Sequence, residues 1–436
     1  YLEDCVWLDA EPDEVIVASE RIELYYPFAE ELIKKGAAYV CLCPAETFKT
    51  YKEQKLPCPH RSVCVAENMD CWEKMLSGVY EEKEAVLRIK TDMASADSAL
   101  RDWVAFRILK REHPLVGDRY LLWPTLDFES AIEDHLLGIT HILRGKDLIK
   151  SELKQRFLYD HLGWNYPITM LWGKIKVQEF GKFSTSELRR RIEGGEYEGW
   201  DDPRLPTVRA LRRRGFQPEA IRKFFISTSI TQTDIAVSMK NLYAENRKMV
   251  DATALRYFFV RNPAKMKLED GQSFVAQALK HPSREESREI KTGNIIYFSS
   301  DDTAKLNVRQ KIRLKYLCTV EIVSTEPLVA KVIERETQQI AEMPVIQWAP
   351  TDGIRVLVKR PDESPYRACG KAPPGLAGAR AEPVMGRSPT MDEGLGEPLI
   401  ATELWNVVQF ERYGFVRIDS VVEKETGTEV VAYFTH

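Results

Sequence analysis

Across its 436 residues the chain has no run of eighteen or more uncharged apolar residues, so a helical membrane span is excluded. Its opening, YLEDCVWLDAEPDE, lacks the basic and apolar blocks of a secretory leader. Nor is there an overall charge excess, with 62 basic side chains against 66 acidic ones and a net charge of -4. Of its eight cysteines most of the early ones cluster in one loop, where a reducing cytosol would favour a metal over disulfides. What remains is 44% apolar and 29% charged residues, the composition of a globular chain with real cores and two to four domains. The expected setting is the cytosol, and a start at Tyr1 rather than Met suggests that residues precede it.

The near-neutral charge hides a gradient. Residues 1–100 hold 11 Lys/Arg against 20 Asp/Glu, whereas 181–270 hold 18 against 12. The positive excess is thus confined to one internal stretch, which calls for an acidic partner.

Hydrophobic periodicity divides the rest. From Arg21 to Lys35 apolar residues recur at helical spacing, and Gly36 supplies a stop. AYVCLC reads as a strand, PAETFKTYKEQ as a short helix, and EAVLRIK, WVAFRIL and YLLWPTL as strands. FESAIEDHLLG, ITHILRG, DLIKSELKQRFLYDHLG and YPITMLW then alternate helix and strand, the pattern of a parallel sheet with ligand loops at its strand ends. Residues 184–262 read as helices broken by EGGEYEGWDDPRLP. Short β-type runs follow to the end, as in a barrel or sandwich, interrupted at 360–398 by a Gly-, Pro- and Ala-rich insertion.

Four constellations carry chemistry. Cys41-x-Cys43 and Cys58-x-His60, with Cys64 close behind, have the donor types and paired spacing of a structural zinc site; the alternative is a set of buried, unligated cysteines. Arg144 closes a predicted strand beside Thr140, His141, Gly145, Lys146 and Asp147, where its guanidinium can fork onto a carboxylate or phosphate or pair with Asp134 or Glu133. In GKFSTSELRRR, Lys182, Ser184, Thr185 and Ser186 stand at a helix start suited to phosphate, though Ser184 with Glu187 also makes an ordinary capping box, which the local sequence favours. Arg209, Arg212 and Arg213, followed by Arg222 and Lys223, form stripes suited to a phosphate backbone or to solvent.

Taken together, these segments resemble one family. GWDDPRLPTVRALRRRG with AIRKFF, PTLDFESAIEDHLLGITHILRGKDL, KTDMASADSALRDWVAFRI, NLYAENRKMVDATALRYFFV and VVQFERYGFVRID resemble segments of the glutamyl- and glutaminyl-tRNA synthetases of the archaeal and eukaryotic branch, and of the glutamyl enzymes of archaeal type in particular. The resemblance implies a multidomain α/β plus all-β chain. Residues 1–38 would end the first half of a class I nucleotide-binding fold, and 39–123 would form the acceptor-binding insertion with its zinc. Residues 124–180 would complete the catalytic fold, 181–262 the helical stem-contact region, and 263–436 the anticodon-binding β-barrels.

It also implies ATP-dependent conversion of glutamate to glutamyl-adenylate, followed by transfer to the 3′ end of tRNA(Glu), with tRNA(Gln) a second candidate. Lys182-Phe183-Ser184-Thr185-Ser186 would be the loop that holds the ATP phosphates, ATP entering with Mg2+; Thr185 stands where the family carries a second lysine. Arg144 would read the substrate's side-chain carboxylate, favouring glutamate over glutamine. Ser130 would lie on the substrate side, and Asp147 near the ATP ribose; Leu126 replaces a family aromatic. Arg204, Arg209, Arg212, Arg213 and Arg222 would face tRNA, and Cys41, Cys43, Cys58 and His60 would hold zinc. No two of the seven histidines are three apart, so the family's His-x-Gly-His signature is not in these residues. The expectation is an N-terminally incomplete enzyme chain, monomeric and inactive by itself, with a glutaminyl enzyme or a non-catalytic tRNA-binding protein as the alternatives.

Overall fold

The computed structural model describes residues 1–178, 184–269, 273–334, 343–361 and 390–436. They form two compact units. One comprises Pro12–Ile175 with Ile230–Ile235; the other comprises Tyr1–Glu11, which carries helix α1 (Leu2–Trp7), with Lys176–Ser229 and Ala236–His436.

The first unit opens with α2 (Tyr26–Lys34), whose apolar face buries Ala29, Leu32 and Ile33. The sequence pattern starts this helix at Arg21, but Ile22–Leu24 is a 3-10 turn. Pro27 stands in the first α-helical turn, where its missing N–H costs nothing. Strands β1 (Ala38–Cys41), β2 (Val86–Ile89), β3 (Val104–Ile108) and β4 (Leu122–Pro124) form an antiparallel sheet in that order. Helices α3 (Ala45–Gln54) and α4 (Val65–Leu76) lie between β1 and β2 in sequence. Trp72, Phe106 and Phe128 meet edge-on at 5.3 and 4.7 Å, making an aromatic centre for a core that continues into α5 (Leu126–Leu136).

From α5 the chain alternates as its sequence predicts. Strand β5 (His141–Gly145), helix α6 (Ile149–Leu162) and strand β6 (Ile168–Trp172) make a crossover, and β5 pairs parallel to β6 with Arg144 opposite Leu171. Gly163 ends α6 in the left-handed conformation at φ +76°, which glycine adopts without a Cβ clash.

In the second unit, helices α7 (Thr185–Glu193), α8 (Val208–Arg213), α9 (Pro218–Thr228) and α10 (Met239–Val250) precede two large sheets of seven and six strands and a hairpin, Phe274–Leu279 with Ser287–Thr292. The helical reading to Asn262 runs too far. Helix α10 ends at Val250, and Arg256–Tyr257 and Phe259–Arg261 are already strands. The aromatic run Tyr257–Phe259 favours a pleated surface, and it serves two cores at once. Phe258 packs among Met266, Ile312 and Trp348, while its neighbour Phe259 packs among Val356, Val408 and Phe410.

A buried ion pair fixes this crossing. Glu397 accepts from Arg288 Nε and Nη2, both at 2.7 Å, and from the Phe258 amide at 2.6 Å. Both side chains are 1% exposed. The insertion read at 360–398 falls largely on 362–389, outside the described residues.

Candidate functional site

Three groups of residues carry chemistry, two in the first unit and one in the second. The first is the cysteine cluster. Strand β1 ends at Cys41, so Cys43 lies beyond it on the way into α3, and Cys58 leads into a 3-10 turn, Pro59–Ser62, that carries His60. The ligand atoms of Cys41, Cys43, Cys58 and His60 all lie within 4.8 Å of one another. Cys41 Sγ is 3.9 Å from Cys58 Sγ, and Cys43 Sγ is 3.3 Å from His60 Nδ1. Tetrahedral zinc with Zn–S bonds of about 2.3 Å sets sulfurs about 3.8 Å apart, so donor chemistry and spacing both fit a metal ion. The Cys41 thiol is drawn down to about 7, first by the hydrogen bond with Cys58, against its burial and with help from the Arg88 cation. Cys58, sharing that hydrogen bond and buried, is pushed up to about 12. Cys64 is exposed and outside the group.

The second group surrounds Arg144 at the carboxyl end of β5. Its Nη1 donates to Gln155 Oε1 at 2.9 Å. The same oxygen accepts from Tyr166 Oη at 2.7 Å, and Gln155 Nε2 donates to Ser130 Oγ at 2.8 Å. Gln155 is fully buried on α6, so it ties the guanidinium to α5 and holds it in one orientation. Of the two carboxylates that the sequence offers Arg144, Asp134 stands at 3.8 Å. Glu133 instead accepts from Arg21 Nε and Tyr25 Oη, each at 2.8 Å. Burial raises the Asp134 carboxyl, with Arg144 opposing. Burial, with Glu133 and Asp134 adding repulsion, pushes Glu129 up to about 7.

Ser130 therefore joins Arg144 through Gln155, as neither motif alone foretold. Asp147 bends back over the chain, its Oδ1 lying 2.5 Å from where a Cβ on Gly145 would stand, so a larger residue at 145 would displace the Asp147 carboxylate. Leu126, at the start of α5, is exposed. Lys182 lies outside the described residues. Ser184 caps α7 by accepting from the Glu187 amide at 3.1 Å, while the Glu187 carboxylate accepts from Arg190 and Arg191, which hold it down at about 2. Thr185 and Ser186 form the first turn of α7.

The third group is cationic and lies in the second unit. Four of the five arginines singled out from sequence have acidic partners. Arg204 grips the buried Asp202 at 2.9 and 2.6 Å. Burial opposes ionisation of Asp202, yet the hydrogen bonds from Arg204 and two backbone amides hold its carboxyl below the usual range. Arg209 meets Glu3 at 2.7 Å, Arg222 meets Asp9 at 2.9 Å, and Arg213 lies 3.3–3.4 Å from Glu198, Asp201 and Asp419. Arg212 lies over the Trp7 ring at 5.7 Å.

Two neighbouring cavities hold further cations. One, of about 570 Å³, is lined by Lys240, Arg247, Arg412, Tyr243, Phe415 and His436 among others. The second, of about 180 Å³, is lined by Arg256, Lys315, Tyr316 and Glu411 among others, and the two share Gln409 and Arg412. Burial, with Arg214 and Arg247 adding charge, lowers His436 to about 4, so it is neutral at pH 7. The sequence does not mark these cations as one group: Lys240 and Arg247 lie on α10, within the basic stretch at 181–270, with Arg256 shortly after it, whereas Lys315 and Arg412 come from distant parts of the chain.

Known proteins share this sequence along its whole length. Residues 1–252 match the catalytic domain of class I tRNA synthetases (E and Q), and residues 254–344 match the anti-codon binding domain of the same group. The chain therefore belongs to the class I tRNA synthetases of the E and Q group. Within it, the chain is 51% identical to the glutamate–tRNA ligase of Methanothrix thermoacetophila and 49% identical to that of Methanosarcina barkeri, over all of this chain and 72% of each relative. A glutamate–tRNA ligase from Pyrococcus abyssi is 42% identical over the same shares.

Proposed function

We propose that the chain acts as a glutamate–tRNA ligase, activating glutamate with ATP and passing it to the 3′ end of tRNA(Glu). The observation that carries the amino-acid choice is Arg144, held at the carboxyl end of β5 by Gln155. A guanidinium with spare donors pairs bidentately with a carboxylate, whereas a glutamine amide leaves its charge uncompensated. Nearby Asp134 would offset the Arg144 charge before substrate arrives, and Ser130 reaches the same network through Gln155.

Little covalent chemistry is asked of such an enzyme; it positions reactants and stabilises charge at the phosphate. Lys182 would supply the cation for the ATP phosphates, which enter with Mg2+. Thr185 and Ser186 would present hydroxyls and free amides at the start of α7, and Asp147 would meet the ribose. Cys41, Cys43, Cys58 and His60 would hold zinc, and four protein ligands make that zinc structural.

For tRNA, the arginines from Arg204 to Arg222 are one contact surface, in which phosphates would replace the acidic partners now seen. The linked cavities are a second. Arginine and aromatic side chains side by side suit stacked bases and phosphates; for the smaller cavity this reading is supported by Arg256, Lys315 and Tyr316, which fall in the span that matches an anti-codon binding domain.

The residue assignments, the domain roles along the chain and the choice of tRNA are part of this proposal. Pyrophosphate exchange in the presence of tRNA tests it: glutamate should support exchange at least ~100-fold better than glutamine in a chain of the relatives' full length, a floor below the roughly 10⁴-fold by which a site built to hydrogen-bond one polar group rejects an analogue lacking it. Exchange driven by glutamine would favour the glutaminyl reading. The 436 residues alone should bind tRNA without exchange, because they contain no His-x-Gly-His signature; exchange at a relative's rate overturns that expectation.

A further inference from the structure

The four metal donors account for only part of what surrounds them. Arg88, on β2, pairs in register with Tyr39 on β1, so both side chains and that of Cys41 share one face of the sheet. Arg88 is 7% exposed, its guanidinium lies 3.3 Å from the centre of the Phe48 ring, and its Nε is buried without a hydrogen-bond partner. A desolvated cation of this kind needs a negative charge nearby. A divalent ion bound by three thiolates and one neutral imidazole supplies one, since it carries a single net negative charge.

Asp102 is the second unexplained group. Fully buried, it accepts from Tyr39 Oη at 2.9 Å, Arg61 Nε at 2.9 Å and the Thr91 amide at 2.8 Å. Tyr39 lies two residues before Cys41, and its hydroxyl is 3.6 Å from Cys58 Sγ; Arg61 follows His60 directly and also donates to the Thr91 carbonyl at 2.8 Å. One carboxylate thus fastens both ligand-bearing segments to the sheet, while the Asp102 carbonyl accepts from Arg88 Nη1 at 3.1 Å.

We propose that Arg88 and Asp102 form the outer shell of the metal centre, Arg88 offsetting the surplus negative charge of the three thiolates and Asp102 orienting the segments that carry Cys41, Cys58 and His60. This rests on the metal reading of the four donors. Both are positioning residues, and outer-shell groups of this type change metal affinity about 10–100-fold.

The test is zinc affinity of the whole chain by competition with a coloured chelator, together with the visible spectrum of the cobalt-loaded form. Arg88→Met and Asp102→Asn should each weaken zinc by about 10- to 100-fold. Arg88→Lys should recover part of the Arg88→Met loss. Arg61→Gln, at a partly exposed position, keeps the test open if Asp102→Asn does not fold, and should weaken zinc by a smaller factor. The cobalt spectrum should keep its tetrahedral thiolate bands throughout. Zinc affinities within about threefold of wild type in Arg88→Met and Arg61→Gln, well short of an outer-shell effect, overturn the proposal, and absence of recovery with Arg88→Lys overturns the charge role. A wild-type chain that takes up no zinc instead overturns the metal reading itself.

Discussion

Arg144 was legible as a candidate from its place at a strand end, but the residue that holds it was not. Gln155 sits mid-helix between Lys154 and Arg156, where sequence gives a glutamine no distinction from a solvated one. Only the fold shows it buried between Arg144, Tyr166 and Ser130. Gln155→Leu leaves three polar groups without this partner, and each unsatisfied buried group costs about 1–3 kcal/mol. Chemical denaturation should show that scale of loss, and glutamate selection should weaken with it. Cys41, Cys43, Cys58 and His60 were readable as one cluster because their chemistry and paired spacing are local. Ser184 was equally readable as a cap, and its role toward ATP rests on the family resemblance.

Among elements, α5 and the strands that cross the two β-cores carry the sharpest predictions. Glu129, Glu133 and Asp134 crowd one part of α5, and Glu129 titrates near 7 in the fold against an ordinary 4.5. A carboxyl raised on folding favours the folded state most below about pH 4.5, and this advantage is lost as pH rises through about 7. Glu129→Gln should therefore gain stability relative to wild type between about pH 4 and pH 8, on the order of 1 kcal/mol after allowance for solvent screening. Thermal melts across that range check both sign and size; a gain greatest at the acid end would refute the burial argument.

The Arg288–Glu397 pair makes a complementary case. Arg288→Met leaves a buried carboxylate with the Phe258 amide as its remaining partner among the described residues, and breaking such a pair costs about 3–5 kcal/mol. Equilibrium unfolding should show the loss. The alternation of helix and strand from Phe128 to Trp172 was plain in the sequence because helical and strand periods separate cleanly there. The early end of α10 was not, because Ala252–Val260 mixes helix formers with aromatics and tertiary packing decides.

For the molecule as a whole, the net charge of -4 says little about RNA. The basic stretch at 181–270 is a candidate surface by composition. Four of its five named arginines have acidic partners; its Lys240, Arg247 and Arg256 line the two linked cavities together with Lys315 and Arg412 from later in the chain, and of these Arg256, Lys315 and Arg412 also have acidic partners in Asp251, Glu411 and Asp302. Lys240→Glu with Arg247→Glu should weaken tRNA binding and lower its salt slope by about 0.7–0.9 for each phosphate no longer neutralised. Arg212→Glu with Arg213→Glu should do the same if the helical arginines also meet phosphate. A salt titration with each pair separates the two surfaces, and an unchanged slope removes that pair from the interface.

Selection of glutamate by this chain is assigned to Arg144, and the decisive measurement is the binding of a stable glutamyl-adenylate analogue and its glutaminyl counterpart to wild type and to Arg144→Gln. Wild type should prefer the glutamyl compound by at least ~100-fold, about 2.7 kcal/mol, and Arg144→Gln should reduce that preference to near parity. Equal binding of the two compounds by wild type, or a preference that survives in Arg144→Gln, would contradict the assignment.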